Sequence, residues 1–222
     1  MTNDNSSSPV SSVTQLKSDW LQLLTELKID PIPGEKIFAD LIKAYSGSRR
    51  HYHNLDHLLH ILNSLAEVKE YINCFPALQL CAWFHDYTYE PQALDNEVQS
   101  AVYAERVLSK LGVKFDTVRL VQQIILSSRK HEPLLEETDN LYFLDVDLAI
   151  LGASTDKYLA YSQAIRQEFG KVSDLDYQSG RTKVLQQFLD RDNIYYTDYF
   201  GDRLEPQARE NLQTEINNLK SI

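Results

Sequence analysis

The stretch LQLCAWFHDYTY, residues 78–89, is apolar or aromatic at almost every position. It contains neither Gly nor Pro, so it predicts a helix that is apolar on all sides and therefore buried. His85 and Asp86 stand inside this run. A buried charge without a partner is strongly destabilising, so such groups are normally paired, neutralised or bound to a metal ion. The rest of the chain is therefore expected to supply partners for this pair.

Composition favours a helical protein of moderate size. Of the 222 residues, 43% are hydrophobic, and Gly and Pro number only 7 each. Few helix breakers favour helices with short connections, so we expect an all-α fold. The net charge of −10 and the pI near 5.0 disfavour an extended nucleic-acid partner or an anionic membrane surface.

Hydrophobic periodicity, caps and breakers predict a series of helices in one domain, residues 13–222, after a disordered tail over residues 1–12. The predicted helices lie at about residues 14–27, 35–45, 54–71, 76–90, 96–111, 118–128, 141–151, 156–169, 177–191 and 205–219. A strand is the alternative for residues 141–151, because a short apolar run does not separate the two periods. The aromatic segment 195–200 is a candidate interface in a homo-oligomer.

The expected location is the cytoplasm. Residues 1–12 lack the basic and apolar regions of a secretory leader, and no apolar run reaches membrane-spanning length. Cys74 and Cys81 lie in apolar surroundings and are predicted to be reduced core residues rather than a disulfide framework.

Histidines cluster upstream of the opening stretch. Of the 6 histidines, all but His131 lie within residues 51–85, at positions 51, 53, 57, 60 and 85. His57 stands four residues after His53 and three before His60, which is the spacing of neighbours on one helix face. Downstream, Asp145 and Asp147 interrupt another apolar run. Each residue alone is most simply a capped or hydrogen-bonded group, but the combination predicts a metal site.

These blocks resemble the H…HD…D signature of the HD-domain superfamily of metal-dependent phosphohydrolases. The similarity is closest to a bacterial branch described as predicted HD phosphohydrolases, and it extends over about residues 15–215. The matching blocks are YHNLDH at 52–57, WFHD at 83–86, DNEVQSA at 95–101 and DVDLAILG at 145–152. The dipeptide His-Asp alone is a weak signal, whereas four blocks in order are specific.

The resemblance implies a helical bundle around one divalent metal ion. Carried over by position, the ligands are His57, His85, Asp86 and Asp147, with Asp145 as the alternative to Asp147. Two imidazoles and two carboxylates leave positions for water and for a substrate oxygen in an octahedral shell. This donor set suits Mn, Fe, Co, Ni, Zn or Mg without choosing among them.

The activity implied by the resemblance is metal-assisted hydrolysis of a small phosphoester, with nucleotides among the candidate substrates. Asp86 is expected both to bind the ion and to orient water, and Glu97 is a candidate acid–base group or a support for the metal ligands. His131 is a candidate catalytic residue that faces the phosphate and stabilises charge on the leaving group. Further candidates to face the substrate are Arg129, Lys130, His53 and Tyr89. The alternative for Glu97, Arg129, Lys130 and His131 is ordinary surface charge. For His53 it is a solvent-facing, capping or outer-shell role, and for Tyr89 it is core packing.

Two other functions fit the same signature. A di-iron HD oxygenase would need further histidine ligands between the HD pair and the last Asp, where His131 stands alone. A non-catalytic nucleotide-binding regulatory module would be expected to have lost ligand residues, whereas all four ligand types are present. A mononuclear phosphohydrolase is therefore favoured.

Overall fold

The computed structural model describes residues 9–220, and over that range the chain is helical without any β-strand. The prediction of an all-α fold is confirmed. The helices are α1 (Pro9–Glu26), α2 (Pro31–Tyr45), α3 (Leu55–Glu67), α4 (Phe75–Phe84), α5 (Asn96–Lys110), α6 (Phe115–Ser128), α7 (Thr138–Leu148), α8 (Thr155–Glu168), α9 (Asp174–Leu189) and α10 (Asp198–Lys220). Short 3₁₀ turns occupy Lys69–Tyr71 and Ala149–Gly152.

Helix α4 lies in the middle of the hydrophobic core, as its uniformly apolar sequence predicts. It packs against α1, α3, α5, α6 and α7. Trp83 and Phe84 near its end are fully buried, and the Trp20 ring of α1 packs edge-on against Trp83 with ring centroids 5.2 Å apart. Because apolar burial is the main favourable term in folding, this helix determines how its neighbours are arranged.

The C-terminal part of the chain surrounds a buried ion pair. Helix α10 packs against α9 and against the 3₁₀ turn that follows α7. Arg181 of α9 donates from Nε to Oε1 of Glu215 in α10 at 2.9 Å, and the Tyr158 hydroxyl of α8 donates to Oε2 of the same carboxylate. Because buried charges are tolerated only when paired and hydrogen-bonded, this network links α8, α9 and α10.

The structure differs from two predictions made from the sequence, one near the start of the chain and one at residues 141–151. Helix α1 begins at Pro9, so residues 9–12 are helical and not part of a tail, while residues 1–8 lie outside the described range. Proline fits the first turn of a helix, where its missing N–H is not needed. The strand alternative for residues 141–151 is wrong, because α7 runs through Thr138–Leu148 and a 3₁₀ turn follows.

Helix α10 begins at Asp198, well before the predicted start near residue 205, and it continues through Pro206. The Asp145 carboxylate accepts hydrogen bonds from the N–H groups of Tyr196 and Thr197, and these bonds fix the chain just before the helix starts. The predicted interface segment 195–200 is not an exposed apolar patch, since Tyr195 and Phe200 are buried in the core.

Gly152 is required by close packing against α10. A Cβ at this position would lie 2.5 Å from Leu204 Cβ, 2.8 Å from the Leu204 carbonyl oxygen and 3.0 Å from the Tyr195 hydroxyl. Two of these atoms belong to rigid parts of α10, so they cannot move aside like the end of a flexible side chain. Gly180 in α9 is the opposite case, because a Cβ there meets no described atom within 4 Å.

Gly152→Ala is therefore expected to lower the free energy of unfolding by about 1–3 kcal/mol through overpacking. Gly180→Ala should raise it by about 0.5–1 kcal/mol, because alanine restricts the unfolded chain and favours the helix. Urea unfolding of the two variants beside the wild type measures both changes. A stability of Gly152→Ala equal to that of Gly180→Ala would contradict the packing described for α10.

Candidate metal centre

His85 and Asp86 lie at the C-terminal end of α4, where the backbone leaves the helix. His85 caps α4 by donating its N–H to the Cys81 carbonyl at 2.8 Å, and Asp86 follows in the turn. The prediction that the helix continues to residue 89 is therefore wrong. Beyond this turn, the guanidinium of Arg50 holds the chain by donating to the Tyr87 carbonyl at 2.9 Å. Both side chains of the pair thus project from the end of a buried helix.

The imidazole of His85 is held by its own helix. Its Nδ1 lies 3.0 Å from the Ala82 carbonyl oxygen, which can only accept, so Nδ1 carries a proton. The Nε2 edge consequently faces away from the backbone, 3.2 Å from Asp86 Oδ2 and 3.8 Å from Asp147 Oδ1. A histidine fixed through one nitrogen and open at the other is the usual arrangement of a metal ligand.

His57 enters the same cluster from the first turn of α3. Asn54 is the predicted N-cap, and its Oδ1 accepts from the N–H groups of Asp56 at 2.9 Å and His57 at 3.3 Å. The cap fixes where the helix starts and therefore which way His57 points. Its Nε2 lies 3.6 Å from both Asp86 Oδ2 and Asp147 Oδ1.

The two aspartates of α7 have different roles because residues two apart on a helix point in nearly opposite directions. Asp147 faces the histidines. Asp145 is buried on the other side, where Oδ1 accepts from Tyr196 N–H and Oδ2 from the N–H and hydroxyl of Thr197, each at 2.7 Å. The structure therefore brings Asp147 to the cluster, whereas Asp145 binds the backbone just before α10.

The cluster has the character of a cation site. The ligand atoms of His57, His85 and Asp147 all lie within 4.8 Å of one another. Among the described residues, three buried atoms that face this point make no well-formed hydrogen bond, namely His57 Nε2, His85 Nε2 and Asp86 Oδ2, and the last two only form an ion pair with each other at 3.2 Å. Buried polar atoms left without partners are costly, and a metal ion would satisfy all three at once. The residues present therefore fit the divalent ion implied by the sequence.

Proton affinities in the cluster follow from burial and from the paired carboxylates. Burial lowers the pKa of His57 to about 3, which leaves a neutral ring. Burial also disfavours the charged form of His85, but the charges of Asp86 and Asp147 outweigh it and raise its pKa to about 9. Burial acts to raise the pKa of Asp147, yet the hydrogen bond from His131 and the charge of His85 bring it down to about 2. The carboxylates of Asp86 and Asp147 are both ionised near neutral pH, because the pKa of each is lowered.

His131 joins the cluster from the loop after α6. Its Nε2 lies 3.2 Å from Asp147 Oδ2, the oxygen that does not face His57 and His85. The backbone of His131 has a φ of 49°, a left-handed conformation that is uncommon for residues other than glycine. Its carbonyl is held by the Tyr196 hydroxyl at 2.8 Å. A strained loop that presents a partly exposed imidazole beside a carboxylate is typical of functional sites.

Three other predicted site residues are not joined to the cluster. Glu97 lies in the first turn of α5, and its carboxylate has no hydrogen bond or ion pair within the described range. Arg129 and Lys130 are exposed, and their side chains likewise bond no described residue. Lys130 uses its carbonyl instead, which accepts from Arg191 at 2.9 Å. The predicted roles of Arg129 and Lys130 therefore rest only on their position next to His131 in the chain.

His53 and Tyr89 come together around a residue that the sequence did not single out, Glu168 at the end of α8. His53 Nδ1 lies 2.7 Å from Glu168 Oε2, and the Tyr89 hydroxyl donates to the same oxygen at 2.6 Å. The two rings also pack together, with centroids 4.2 Å apart. The Tyr89 proton is thus engaged with Glu168, so Tyr89 supports His53 and is not a free donor for a substrate.

A cleft of about 590 Å³ runs beside His57 between α3, α8 and the start of α10. Its walls include Tyr52, Tyr161 and Lys157. Ligand pockets in proteins commonly have volumes of roughly 300–1,000 Å³, so the space suits a small organic molecule. The cleft therefore offers room for a ligand next to the cluster.

Comparison with known proteins gives no relative: no protein-family model, curated protein or solved structure matches this chain. Within residues 9–220, no helix combines the length and the apolar composition needed to cross a bilayer.

The separate orientations of Asp145 and Asp147 predict separate mutant phenotypes. Asp147→Asn should lower the affinity for divalent ions by at least about 100-fold, because it removes a charged ligand. Asp145→Asn should leave that affinity nearly unchanged but lower the free energy of unfolding by about 1–3 kcal/mol, because an amide cannot accept from all three donors. Isothermal titration calorimetry and urea unfolding separate the two effects. The reverse pattern would assign the ligand to Asp145.

Proposed function

We propose that this chain is an HD-type, metal-dependent hydrolase of small phosphoesters. One observation carries the proposal: the buried Nε2 atoms of His57 and His85, which make no well-formed hydrogen bond, both lie within 3.8 Å of Asp86 Oδ2 and of Asp147 Oδ1. Two imidazoles and two carboxylates hold a divalent ion such as Mn, Fe, Co, Ni, Zn or Mg. The order of these residues along the chain supports the same assignment.

When bound, a divalent ion supplies Lewis-acid activation of water and of the phosphoryl group. Asp86 directs Oδ2 into the cluster while 15% of its side chain is exposed, so its carboxylate is accessible to water and can orient the attacking molecule. His131 is 28% exposed and lies beside Asp147, which suits a donor to the phosphoryl or leaving-group oxygen. The positive charges of Arg129 and Lys130, next to His131 in the chain, favour an anionic substrate.

The cleft beside His57 supports a substrate larger than inorganic phosphate. Its volume of about 590 Å³ can accept the organic part of a nucleotide-sized phosphoester. Tyr52 and Tyr161 line this space and offer ring faces to a base or another planar group, while Lys157 adds a positive charge. The free thiols of Cys74 and Cys81 fit a reducing cytoplasm, the location that we propose.

Metal binding should release a proton near neutral pH. His85 in the metal-free protein is then doubly protonated, because its pKa is raised to about 9. An ion that takes Nε2 displaces one of these protons, so affinity should rise with pH until about pH 9 and level off above it. Calorimetric titrations in buffers of different ionisation enthalpy count the released protons. We expect about one per ion at neutral pH and almost none above the His85 pKa.

The activity is tested by screening purified protein loaded with each candidate metal against p-nitrophenyl phosphate and nucleotides. Asp86→Ala should lower turnover by at least about 100-fold, because it removes a ligand and the group that orients water. Asp116→Ala is the matched control, since Asp116 is an exposed carboxylate in the first turn of α6 that belongs neither to the cluster nor to the walls of the cleft. Turnover that survives Asp86→Ala would contradict the assignment. Two irons per chain would instead indicate the di-iron class.

A further inference from the structure

Tyr52 has a buried hydroxyl that makes no hydrogen bond to any described residue. The residue as a whole is only partly buried, so the shielded hydroxyl is the inner end of its side chain. Tyrosine hydroxyls elsewhere in the described range bond a protein group, among them those of Tyr45, Tyr89, Tyr158, Tyr195 and Tyr196. A buried hydroxyl without a partner is unfavourable, so the surroundings of this one indicate which ligand it serves.

The ring of Tyr52 lies between the metal cluster and the cleft. Its centroid is 4.7 Å from that of His57, a ligand of the proposed ion, and 4.6 Å from that of Tyr161. The Glu168 carboxylate holds the backbone here by accepting from the Tyr52 N–H at 2.8 Å. Tyr52, His57 and Tyr161 all line the cleft of about 590 Å³. A substrate with its phosphoryl group on the ion and its organic part in the cleft therefore passes Tyr52.

The electrostatic surroundings of the hydroxyl suit a hydrogen-bond donor. Burial raises the pKa of Tyr52 well above its usual value, and Tyr161 and the carboxylates of Asp147 and Asp86 raise it further. The phenol therefore keeps its proton at neutral pH and can donate it to a hydrogen bond. The hydroxyl lies within electrostatic reach of both carboxylates of the cluster but bonds neither of them. Its acceptor is then best supplied by an oxygen that also binds the ion.

We propose that Tyr52 is a substrate-binding residue whose hydroxyl donates a hydrogen bond to a phosphoryl oxygen of the substrate. The assignment deepens the proposed function and rests on it for the phosphoryl group. No proton is transferred in this hydrogen bond, so Tyr52 stabilises negative charge on the phosphoryl group and leaves acid–base chemistry to other residues. The segment that leads into α3 thus supplies both a metal ligand, His57, and a donor to the substrate.

Tyr52→Phe removes the hydroxyl and keeps the ring that packs against His57. Because the hydroxyl bonds no described residue, its loss should not lower the urea midpoint of the metal-free protein. Tyr177→Phe is the matched control, since Tyr177 also has a buried hydroxyl that bonds no described residue but lies in α9, outside the walls of the cleft. A clear loss of stability in Tyr52→Phe alone would assign the hydroxyl to the fold and contradict the inference.

The first measurement is ¹⁹F NMR of protein that carries 3-fluorotyrosine, and it needs no turnover. The signals of Tyr52 and Tyr177 are assigned by their disappearance in the two variants. The protein is loaded with zinc, which is diamagnetic, and inorganic phosphate is the probe. We expect phosphate to shift the Tyr52 signal and to leave the Tyr177 signal in place. A Tyr52 signal that responds to zinc but not to phosphate would assign the acceptor to metal-bound water and overturn the proposal.

The second measurement is the affinity of the zinc-loaded protein for inorganic phosphate, by calorimetric titration. Tyr52→Phe should weaken this affinity by about tenfold or more, because a hydrogen bond to an anion is lost. Tyr177→Phe should bind phosphate like the wild type, and both variants should keep the wild-type affinity for zinc. Unchanged phosphate binding by Tyr52→Phe would refute the assignment and leave the proposed function intact. A zinc-loaded wild type that binds no phosphate would instead count against the proposed function, and the assignment would fall with it.

Discussion

Two carboxylates and two imidazoles converge on one buried point to which no described lysine or arginine brings a compensating charge. Asp86 and Asp147 are ionised there, and of the two histidines only His85 carries a positive charge near neutral pH. The arrangement leaves buried ligand atoms without hydrogen-bond partners. Such a cluster is unfavourable by itself and becomes favourable when a cation occupies it. The surrounding structure is organised to hold these groups together despite that cost.

The helices and turns that carry the cluster are held by contacts on the side away from it. Asn54 caps α3 and directs His57, and the Ala82 carbonyl holds His85 by its Nδ1. Asp145 anchors the start of α10 with the carboxylate next to Asp147 along the helix, so the C-terminal helix is fixed to the segment that carries the last ligand. Such outer contacts orient ligands and usually matter nearly as much as the ligands themselves.

The sequence predicted those features that depend on local patterns. The apolar run through Trp83 indicated a buried helix, and Asn54 was recognisable as an N-cap, because both signals lie within one or two helical turns. It also placed His57, His85, Asp86 and Asp147 in one group, through the order of the motif blocks. The turn at which α4 ends was not predictable, since the segment that follows it is held by a contact from a distant part of the chain, from Arg50 to the Tyr87 carbonyl.

Other features depend on tertiary contacts and could not be predicted from the sequence. The last helix was predicted to start near residue 205, yet α10 begins earlier because Asp145 holds the preceding N–H groups. Glu168 belongs to no recognisable motif, and its hydrogen bonds to the loop that precedes α3 join distant parts of the chain. The choice between Asp145 and Asp147 required the direction of each side chain on α7, which the doublet alone did not provide.

The most direct test of the account is anomalous diffraction from crystals of the protein grown with manganese or zinc. The account predicts one peak in each chain, within about 2.0–2.3 Å of Nε2 of His57 and His85 and of a carboxylate oxygen of Asp86 and of Asp147. A cluster without a peak in metal-saturated crystals, or an ion held without the two aspartates, would contradict it.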